Sequence, residues 1–428
     1  MGRERTGTGY SPMGSGRQID RDDPLHELLI YVEALSGIMD RKRILELTAL
    51  YRDGLLNDTI PFWRRHSIDR EHGGFLTWLD RDGTLLNSDK PIWIQARATW
   101  LFAKLYNSVE RKPEWLELAK HGYDFLVSHA FDSDGRMFFL VTRDGRPLRK
   151  RRYLFAECFG IMACSEYARA SGDERARSRA VDLFKLVLRY HRTPGLLEPK
   201  VFPQTRRTKS HAMPMILLAV SQIMREVDDD PIYDKVIDQS LHEILHDFMK
   251  PDERALFETI GPNGERLDSP EGRCINPGHA IESAWFIMEE GRRRDDWSLI
   301  RQALQILEWS LRIGWDQEHG GLLSFVDVEG KPPDQLEHDM KLWWPHTEAL
   351  YALLLAHNLT GEKKYEEWYE RVHAWSFAHF PDREYGEWFG YLHRDGSLSL
   401  RLKGNLWKGP FHLPRAQLQC WKLLENMG

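Results

Sequence analysis

The most constraining feature of the sequence is a hairpin-like loop that recurs about every 60 to 69 residues. The clearest copies begin at Asp69 and Asp316, each with an Asp-x-Glu-His-Gly-Gly motif, and they share eight identities over fifteen positions. Looser copies end at Asp144-Gly145, Asn263-Gly264 and Asp395-Gly396, where Gly supplies the positive φ of a turn. Repetition at this spacing is typical of a closed or stacked array of similar units, so we expect functional residues where the units converge.

Between the loops the apolar residues follow the period of helices, and the helices come in pairs. One helix of each pair is apolar nearly all round and is predicted to be buried, whereas the other is amphipathic and is predicted to cover it. The buried set is predicted over residues 91–107, 154–170, 213–226, 277–291, 345–359 and 414–427, and the covering set over 44–65, 113–129, 174–190, 231–249, 297–313 and 362–380. This alternation predicts an all-α fold, an (α/α)6 toroid or barrel with short hairpin loops.

The organisation along the chain favours one large domain. No Pro/Gly/Ser-rich linker or block of like charge interrupts residues 42–428, so we predict a single barrel over that range. Residues 1–41 open with a stretch rich in Gly, Arg and Ser that lacks the apolar core of a signal peptide, which predicts a disordered N-terminal tail. The sequence contains no run of about 18 apolar residues, the length that a membrane span requires.

Charge and cysteine content narrow the class of protein further. A net charge of −6 argues against a general nucleic-acid binder. The four cysteines, Cys158, Cys164, Cys274 and Cys420, have neither metal-ligand spacing nor the spacing of a disulfide framework. Reduced thiols in the cytosol fit this pattern, so we predict a cytoplasmic protein.

The chemically informative residues lie at the predicted starts of the buried helices. In Asn276-Pro277-Gly278-His279, Asn is a plausible N-cap, Pro occupies the first helical position, and His279 lies in the first turn. The positive end of the helix disfavours an imidazolium there, and Glu282, three residues on, can orient the ring or raise its basicity. We therefore expect a histidine base with a neighbouring carboxylate; a capping histidine with a satisfied carboxylate is the alternative.

Similar polar groups open two later helices. Trp343, Trp344, His346 and Glu348 surround Pro345, and His412 stands just before the last predicted helix. His211, before the third buried helix, is a weaker candidate.

Arg97, in the first buried helix, would be costly to bury unless it meets an anion, a polar ligand or a structural carboxylate. Trp93, Trp343, Trp344 and Trp407 are candidates for stacking on sugar C–H surfaces, while the polar groups read hydroxyls. Two imidazoles, a guanidinium and carboxylates in a tryptophan-lined funnel suit proton transfer on a polyol.

Two common motifs do not change this interpretation. His242-Glu243-Ile244-Leu245-His246 matches the H-E-x-x-H zinc pattern, but the apolar stripe of its helix leaves both histidines near solvent and no third ligand follows. We therefore predict no metal site. The sequence also lacks the glycine-rich loops that cradle phosphates.

Four segments, residues 276–286, 340–349, 384–391 and 408–415, resemble the N-acylglucosamine 2-epimerase family, whose animal members are also called renin-binding proteins. The resemblance runs from about residue 50 to the C-terminus. It implies an (α/α)6 barrel that interconverts N-acetylglucosamine and N-acetylmannosamine. It also implies that His279 and His412 transfer the protons, with Arg97, Glu348 and Glu282 as partners, and the same segments make Lys341 and Arg415 candidates for binding substrate.

The chemistry is consistent with that resemblance, because the C2 proton of an open-chain sugar lies next to a carbonyl. One histidine would remove it, Arg97 would stabilise the enediolate, and the other histidine would return a proton to the opposite face. Mannose or cellobiose 2-epimerase and aldose–ketose isomerase are alternatives on the same site, and a glycoside hydrolase or a protein-binding role are alternatives from other classes. No cofactor is needed for the chemistry, although some relatives are stimulated by ATP without consuming it, with Lys200 and Lys209 as weak candidates to bind it. For the oligomeric state, we consider a homodimer.

Overall fold

The computed structural model describes residues 39–427. The predicted N-terminal tail, apart from residues 39–41, lies outside this range. Within it the helices are α1 Arg41–Asp53, α2 Ile60–His66, α3 Ile92–Ser108, α4 Pro113–His129, α5 Phe155–Ser171, α6 Glu174–Arg192, α7 Ala212–Met224, α8 Ile232–His242, the short α9 Pro270–Arg273, α10 Pro277–Arg294, α11 Trp297–Gly314, α12 Trp343–Thr360, α13 Lys363–His379 and α14 His412–Met427. A π-helical turn, Gly54–Thr59, joins α1 to α2, and another, Glu243–Phe248, extends α8.

The predicted six-fold pairing of inner and outer helices is confirmed. Helices α3, α5, α7, α10, α12 and α14 are inner, each packs against the next, and each outer helix packs against an inner one. Leucine, alanine and aromatic side chains cover the inner helices on all sides, which is why they cannot face water. No helix within residues 39–427 combines the length and the apolar character that crossing a bilayer demands.

The first outer helix completes the last pair and so closes the ring. Helix α1 packs on α14, and the Arg43 guanidinium pairs with Glu370 of α13 at 2.7 Å. On the inner side, the Phe411 ring before α14 lies 5.2 Å, centroid to centroid, from the Trp100 ring of α3. The two ends of the described chain therefore meet, and the start of α14 lies beside helices from early in the sequence.

Short antiparallel strands connect the units at one end of the barrel. They pair as β1–β2, β3–β4–β5, β6–β9, β7–β8, β10–β11 and β12–β13–β14. Their bounds are β1 Trp78–Leu79, β2 Leu85–Asn87, β3 Lys90–Pro91, β4 Leu140–Val141, β5 Pro147–Arg149, β6 Lys209–Ser210, β7 Met249–Lys250, β8 Ala255–Leu256, β9 Thr259–Ile260, β10 Cys274–Ile275, β11 Val326–Asp327, β12 Lys341–Leu342, β13 Tyr391–Leu392 and β14 Leu398–Leu400. Several of these pairs join neighbouring units, so the hairpins hold the ends of the inner helices in register.

Two inner helices begin earlier than predicted. We expected starts at Pro345 and Pro414, but α12 begins at Trp343 and α14 begins at His412. The first four N–H groups of a helix have no acceptor within it, so proline is tolerated anywhere in the first turn and does not have to be the first residue. As a result, Trp343, Trp344 and His412 have helical backbone instead of lying in the preceding loop.

A buried cluster of one aspartate, one lysine and one arginine recurs in three hairpins. The Asp316 carboxylate accepts hydrogen bonds from Lys341 at 2.9 Å and Arg394 at 2.8 Å. The other two clusters are Asp69 with Lys90 and Arg143, and Asp382 with Lys403 and Arg81. Burial alone would raise the pKa of each aspartate, but the paired cations hold it well below its usual value. The Arg81–Asp382 pair joins the first hairpin to the last and so reinforces ring closure.

We predict that Asp316→Asn lowers the free energy of unfolding by about 3 kcal/mol, because it leaves the buried Lys341 ammonium without its counter-charge. Denaturant unfolding followed by circular dichroism measures this change. The exposed Asp252→Asn is the matched control and should leave stability unchanged. Since the folded pKa of Asp316 is depressed, the difference between native protein and variant should shrink as the pH falls below about 4. A variant as stable as the control would contradict a supporting role for the cluster.

Candidate active site

A cavity of about 610 Å³ opens at the end of the barrel where the inner helices begin. Nine of the predicted site residues line it, namely Trp93, Arg97, His279, Glu282, Trp343, Trp344, Trp407, His412 and Arg415. They come from α3, α10, α12, α14 and the loop before α14, so closure of the ring brings them together. Asn276 also lines the cavity.

His279 is held at the start of α10 by two contacts. Asn276 caps the helix as predicted, with its Oδ1 accepting the His279 backbone N–H at 3.1 Å. The ring Nδ1 lies 3.0 Å from Oε2 of Glu258, a residue between β8 and β9. Because an ionised carboxylate only accepts, Nδ1 donates this bond, and Nε2 has no hydrogen-bond partner among the described residues.

The electrostatics of His279 differ in part from those predicted. We expected Glu282 to orient the ring or raise its basicity, and the helix end to keep the ring neutral. Burial does lower the pKa of His279, but the charge and hydrogen bond of Glu258 outweigh burial and raise it above its usual value, and the charge of Glu282 adds to this effect. A carboxylate at hydrogen-bond distance is a stronger influence than the partial charge of a helix terminus.

The pKa of His412 is shifted in the opposite direction to that of His279. Its Nδ1 lies 2.8 Å from Oε1 of Glu348, which also accepts the Trp285 indole N–H at 2.9 Å through Oε2. Burial lowers the pKa of His412 well below its usual value, and the positive charges of Arg97 and Arg415 lower it further. The ring is therefore neutral at physiological pH, donates Nδ1–H to Glu348, and keeps the lone pair on Nε2.

Glu282 is paired with Arg415 instead of His279. One Arg415 nitrogen, Nη2, lies 2.6 Å from Oε1 of Glu282 and 2.7 Å from Oε1 of Glu348. Ligand atoms of Glu282, Glu348 and His412 all lie within 4.8 Å of one another, a spacing that could hold a metal ion. The Arg415 guanidinium supplies the positive charge between the two carboxylates, so a metal ion would have to displace it.

Arg97 carries a buried charge without a carboxylate beside it. Its guanidinium stacks on Phe159 at 4.1 Å, Trp93 at 4.3 Å and Phe411 at 4.7 Å. Its Nε has no hydrogen-bond partner, and the guanidinium forms no ion pair among residues 39–427. Burial lowers its pKa to about 9, so it is still protonated at neutral pH. Of the two roles considered for Arg97, this environment fits recognition of an anionic or polar ligand and not a structural salt bridge.

The Trp344 indole packs against both imidazoles. Its ring centroid lies 5.3 Å from the His279 ring and 5.6 Å from the His412 ring. Gly278 permits this packing, since a Cβ at that position would lie 2.4 Å from the indole. At the mouth, Trp407 is 45% exposed and stands perpendicular to Trp93 at 5.3 Å.

Four other predicted site residues do not line the cavity. Glu348 lies behind His412, as described above. Lys341 belongs to the buried cluster around Asp316, so it does not bind a ligand in the cavity. His346 is fully buried, with Nε2 accepting the Leu322 N–H at 2.9 Å, and burial lowers its pKa to about 3. His211 lies behind Glu258, with its Nε2 2.9 Å from the Ser283 hydroxyl.

The histidines of the H-E-x-x-H motif lie far from these groups in the fold. His242 ends α8 and His246 lies in the π-helical turn, where both are exposed and their rings stack at 4.3 Å. His246 Nδ1 donates to the His242 backbone carbonyl at 3.0 Å.

Glu258 is the site residue that the sequence analysis missed. It is the one acidic residue in the segment Ala255-Leu256-Phe257-Glu258-Thr259-Ile260, which is otherwise nearly all apolar. A carboxylate in such a segment needs a cation or hydrogen-bond donors. An acidic residue in an apolar segment was therefore the sequence feature that could have indicated a functional role for Glu258. Its partner is 21 residues away, so sequence spacing alone does not identify it.

Comparison with known proteins places this geometry in a family. Residues 74–413 match the family model described as N-acylglucosamine 2-epimerase (GlcNAc 2-epimerase). The chain is 38% identical over 381 residues to the N-acylglucosamine 2-epimerase of Bos taurus, covering 87% of this chain and 90% of that protein. It is 37% identical over 378 residues to the enzyme of that name from Mus musculus, covering 86% of this chain and 90% of that one.

A solved structure shares the fold. The cellobiose 2-epimerase from Bacillus thermoamylovorans aligns with a TM-score of 0.77 and 21% identity, covering 88% of this chain and 98% of that one. At this identity the likeness concerns the barrel alone. The family model and the two mammalian relatives identify the family: the chain belongs to the N-acylglucosamine 2-epimerase family.

Proposed function

We propose that this protein is an N-acylglucosamine 2-epimerase that interconverts N-acetylglucosamine and N-acetylmannosamine. The observation that carries the proposal is a pair of imidazoles that line one cavity and both pack against Trp344, one with a raised pKa and the other with a lowered pKa. Inversion at one carbon needs a base on one face and an acid on the other, and the opposite pKa shifts of this pair favour one of each.

The proposed reaction begins with the open-chain sugar, in which the C2 proton is acidified by the C1 carbonyl. Neutral His412 takes that proton on Nε2, the electron pair of the C–H bond forms a C1–C2 double bond, and the carbonyl π pair moves onto the C1 oxygen. Because C2 of an N-acyl sugar carries nitrogen, the intermediate is an enolate and not the enediolate expected from the sequence. Protonated His279 then delivers a proton from Nε2 to the opposite face of C2, which restores the carbonyl with inverted configuration. The reverse reaction uses the same two groups with the proton on the other histidine.

The remaining residues have electrostatic and positioning roles in this proposal. Arg97 stabilises the negative oxygen at C1, because its buried charge has no competing carboxylate among the described residues. Glu348 holds His412 in the tautomer that leaves Nε2 free, and Glu258 does the same for His279. Trp93 and Trp407 form a mouth on which the sugar's C–H face can stack.

The alternative activities differ in how far they fit the site. Mannose or cellobiose 2-epimerisation and aldose–ketose isomerisation need the same removal of the C2 proton, here to form an enediolate, and differ in the sugar bound or in the carbon that receives the proton. A glycoside hydrolase needs two carboxylates flanking the scissile bond, whereas Glu282 and Glu348 share the same Arg415 nitrogen. A purely protein-binding role does not explain why two histidines with opposite pKa shifts line one cavity.

Further proposals concern the surroundings of the enzyme. We propose a cytosolic, amino-sugar-metabolising enzyme, consistent with four cysteines that are all buried free thiols. The proposed chemistry needs no cofactor, and ATP would act as an activator without being consumed. Of the two candidate lysines, Lys209 is paired with Asp247 at 2.7 Å, which leaves Lys200 as the candidate for contacting a phosphate.

Proton NMR of the purified protein with N-acetylmannosamine in D₂O tests the function, with and without ATP. We expect N-acetylglucosamine carrying deuterium at C2. Conversion of mannose or cellobiose instead of the acylated sugar would contradict the assignment of substrate, and a ketose product would contradict epimerisation.

We predict that His279→Ala and His412→Ala each reduce epimerisation by about 10² to 10⁴, the usual contribution of a general acid or base. The NMR assay measures this loss, and circular dichroism checks the fold. His242→Ala removes an exposed histidine from the outer layer and serves as the matched control. Near-normal activity in either site variant would remove that histidine from the mechanism.

The two pKa directions also predict the pH profile. Activity requires neutral His412 and protonated His279, so kcat/KM should fall at alkaline pH as His279 loses its proton. Glu258→Gln removes the charge that raises the pKa of His279, so the alkaline limb should move to lower pH. Glu265→Gln, an exposed residue of the same loop, is the control. An unshifted limb in Glu258→Gln would show that Glu258 does not set this pKa.

A further inference from the structure

The segment that joins β14 to α14, residues 401–411, borders the mouth of the cavity, and we call it the rim loop. It carries Trp407, whose indole lines the cavity and is 45% exposed. Because the rim loop belongs to no helix and to none of the paired strands, its backbone N–H and C=O groups need other partners. Those partners decide where the loop holds Trp407.

Asn405 supplies several of these partners. Its Oδ1 accepts the backbone N–H of Trp407 at 2.7 Å and that of Lys408 at 2.8 Å. The Asn405 backbone N–H donates to the Lys408 carbonyl at 2.9 Å, and its side-chain Nδ2 donates to the Tyr391 hydroxyl at 3.0 Å. One asparagine therefore closes residues 405–408 into a tight turn and ties this turn to β13.

Two more contacts fix the turn on either side of Trp407. The Leu406 carbonyl accepts the indole N–H of Trp93 at 2.9 Å. The Lys408 ammonium lies 2.6 Å from a carboxylate oxygen of Glu387, and both of these side chains are buried. Since the indoles of Trp93 and Trp407 meet edge to face at 5.3 Å, the turn determines how the two rings are arranged at the mouth.

Asn405 can act on a ligand only through its neighbours. It is 7% exposed and does not line the cavity, whereas Trp407 and Tyr391 do. An aromatic side chain that has to be ordered when the ligand arrives lowers the affinity, and one that is already held in place does not. The buried Asn405 amide therefore matches a role in arranging the mouth before the sugar binds.

We propose that Asn405 is a positioning residue that holds Trp407 in the orientation that stacks on the sugar. This inference rests on the proposed function, because it takes the sugar stacked at the mouth as the ligand. An indole held in advance strengthens binding of the substrate and of the transition state alike, so Asn405 governs KM and not kcat. His279 and His412 are held by carboxylates of their own, so the chemical step does not depend on this turn.

The first test is Asn405→Ala, which removes the acceptor of two backbone N–H groups. We expect KM for N-acetylmannosamine to rise about tenfold and kcat to stay within about twofold, since the freed indole has to be ordered each time the sugar binds. Asn405→Asp keeps an oxygen acceptor and should return KM to within about threefold of its original value. Asn57→Ala, which removes an exposed amide from the π-helical turn after α1, is the matched control.

Steady-state kinetics gives both constants, and circular dichroism checks the fold. A purely structural role would lower the amount of active enzyme, and with it the apparent kcat, without moving KM. An unchanged KM in Asn405→Ala would overturn the proposal.

The second test asks whether Asn405 acts through Trp407. The effect of Asn405→Ala on KM is measured in the native protein and again in a Trp407→Ala background. Once the indole is gone there is nothing left to position, so the second substitution should change KM by less than about twofold. A rise of about tenfold in both backgrounds would overturn the proposal, because Asn405 would then act on another group.

A binding measurement separates failure of this inference from failure of the proposed function. The probe is the methyl α-glycoside of N-acetylmannosamine, which keeps the sugar ring but cannot open to the aldehyde and so is not epimerised. Calorimetry should give a Kd about tenfold higher in Asn405→Ala, with less than about a twofold change in the Trp407→Ala background.

That pattern of Kd values supports the positioning role even if the native protein exchanges no C2 proton, in which case only the proposed reaction fails. Normal epimerisation of N-acetylmannosamine with the same KM and Kd in Asn405→Ala overturns the positioning role and leaves the proposed function intact.

Discussion

The bridge from Arg415 to Glu282 and Glu348 is the interaction on which the site depends. These groups are buried, so removing one of them would leave another charge without a partner away from water. The bridge joins α14 to α10, whose Glu282 is 133 residues away in sequence, and to the neighbouring inner helix α12. Glu348, held in this way, then fixes both the tautomer and the position of His412.

The same arrangement makes the two histidines different from each other. His412 faces two guanidinium groups, which lower its pKa further, whereas His279 has a carboxylate of its own, Glu258, which raises its pKa. A symmetric pair would start with two bases or two acids and would need a proton to be rearranged before inversion. The asymmetry favours one proton donor and one proton acceptor in the cavity before the sugar binds.

Periodicity was enough to predict the barrel, because a helix that is apolar on every side has to be buried and six such helices alternate with amphipathic ones. Motif resemblance identified the main groups of the site, including His279, His412 and Arg97. The resemblance did not show which motif side chains face the cavity. Lys341 is two residues from Trp343 in sequence, yet it belongs to a buried ion-pair cluster that stabilises the hairpins. Glu258 was missed and Glu282 was given its role, since contacts between units depend on how the ring closes and not on spacing along one helix.

The central claim is that each histidine serves one face of C2. The most direct test follows exchange of the C2 proton in D₂O by NMR in the variants His279→Asn and His412→Asn. Each variant is measured separately with N-acetylglucosamine and with N-acetylmannosamine. With two bases, each variant should exchange the proton of one epimer only, and the two variants should act on opposite epimers, with little conversion in either case. Exchange of both epimers by a single variant would mean that one base reaches both faces, and this would contradict the mechanism.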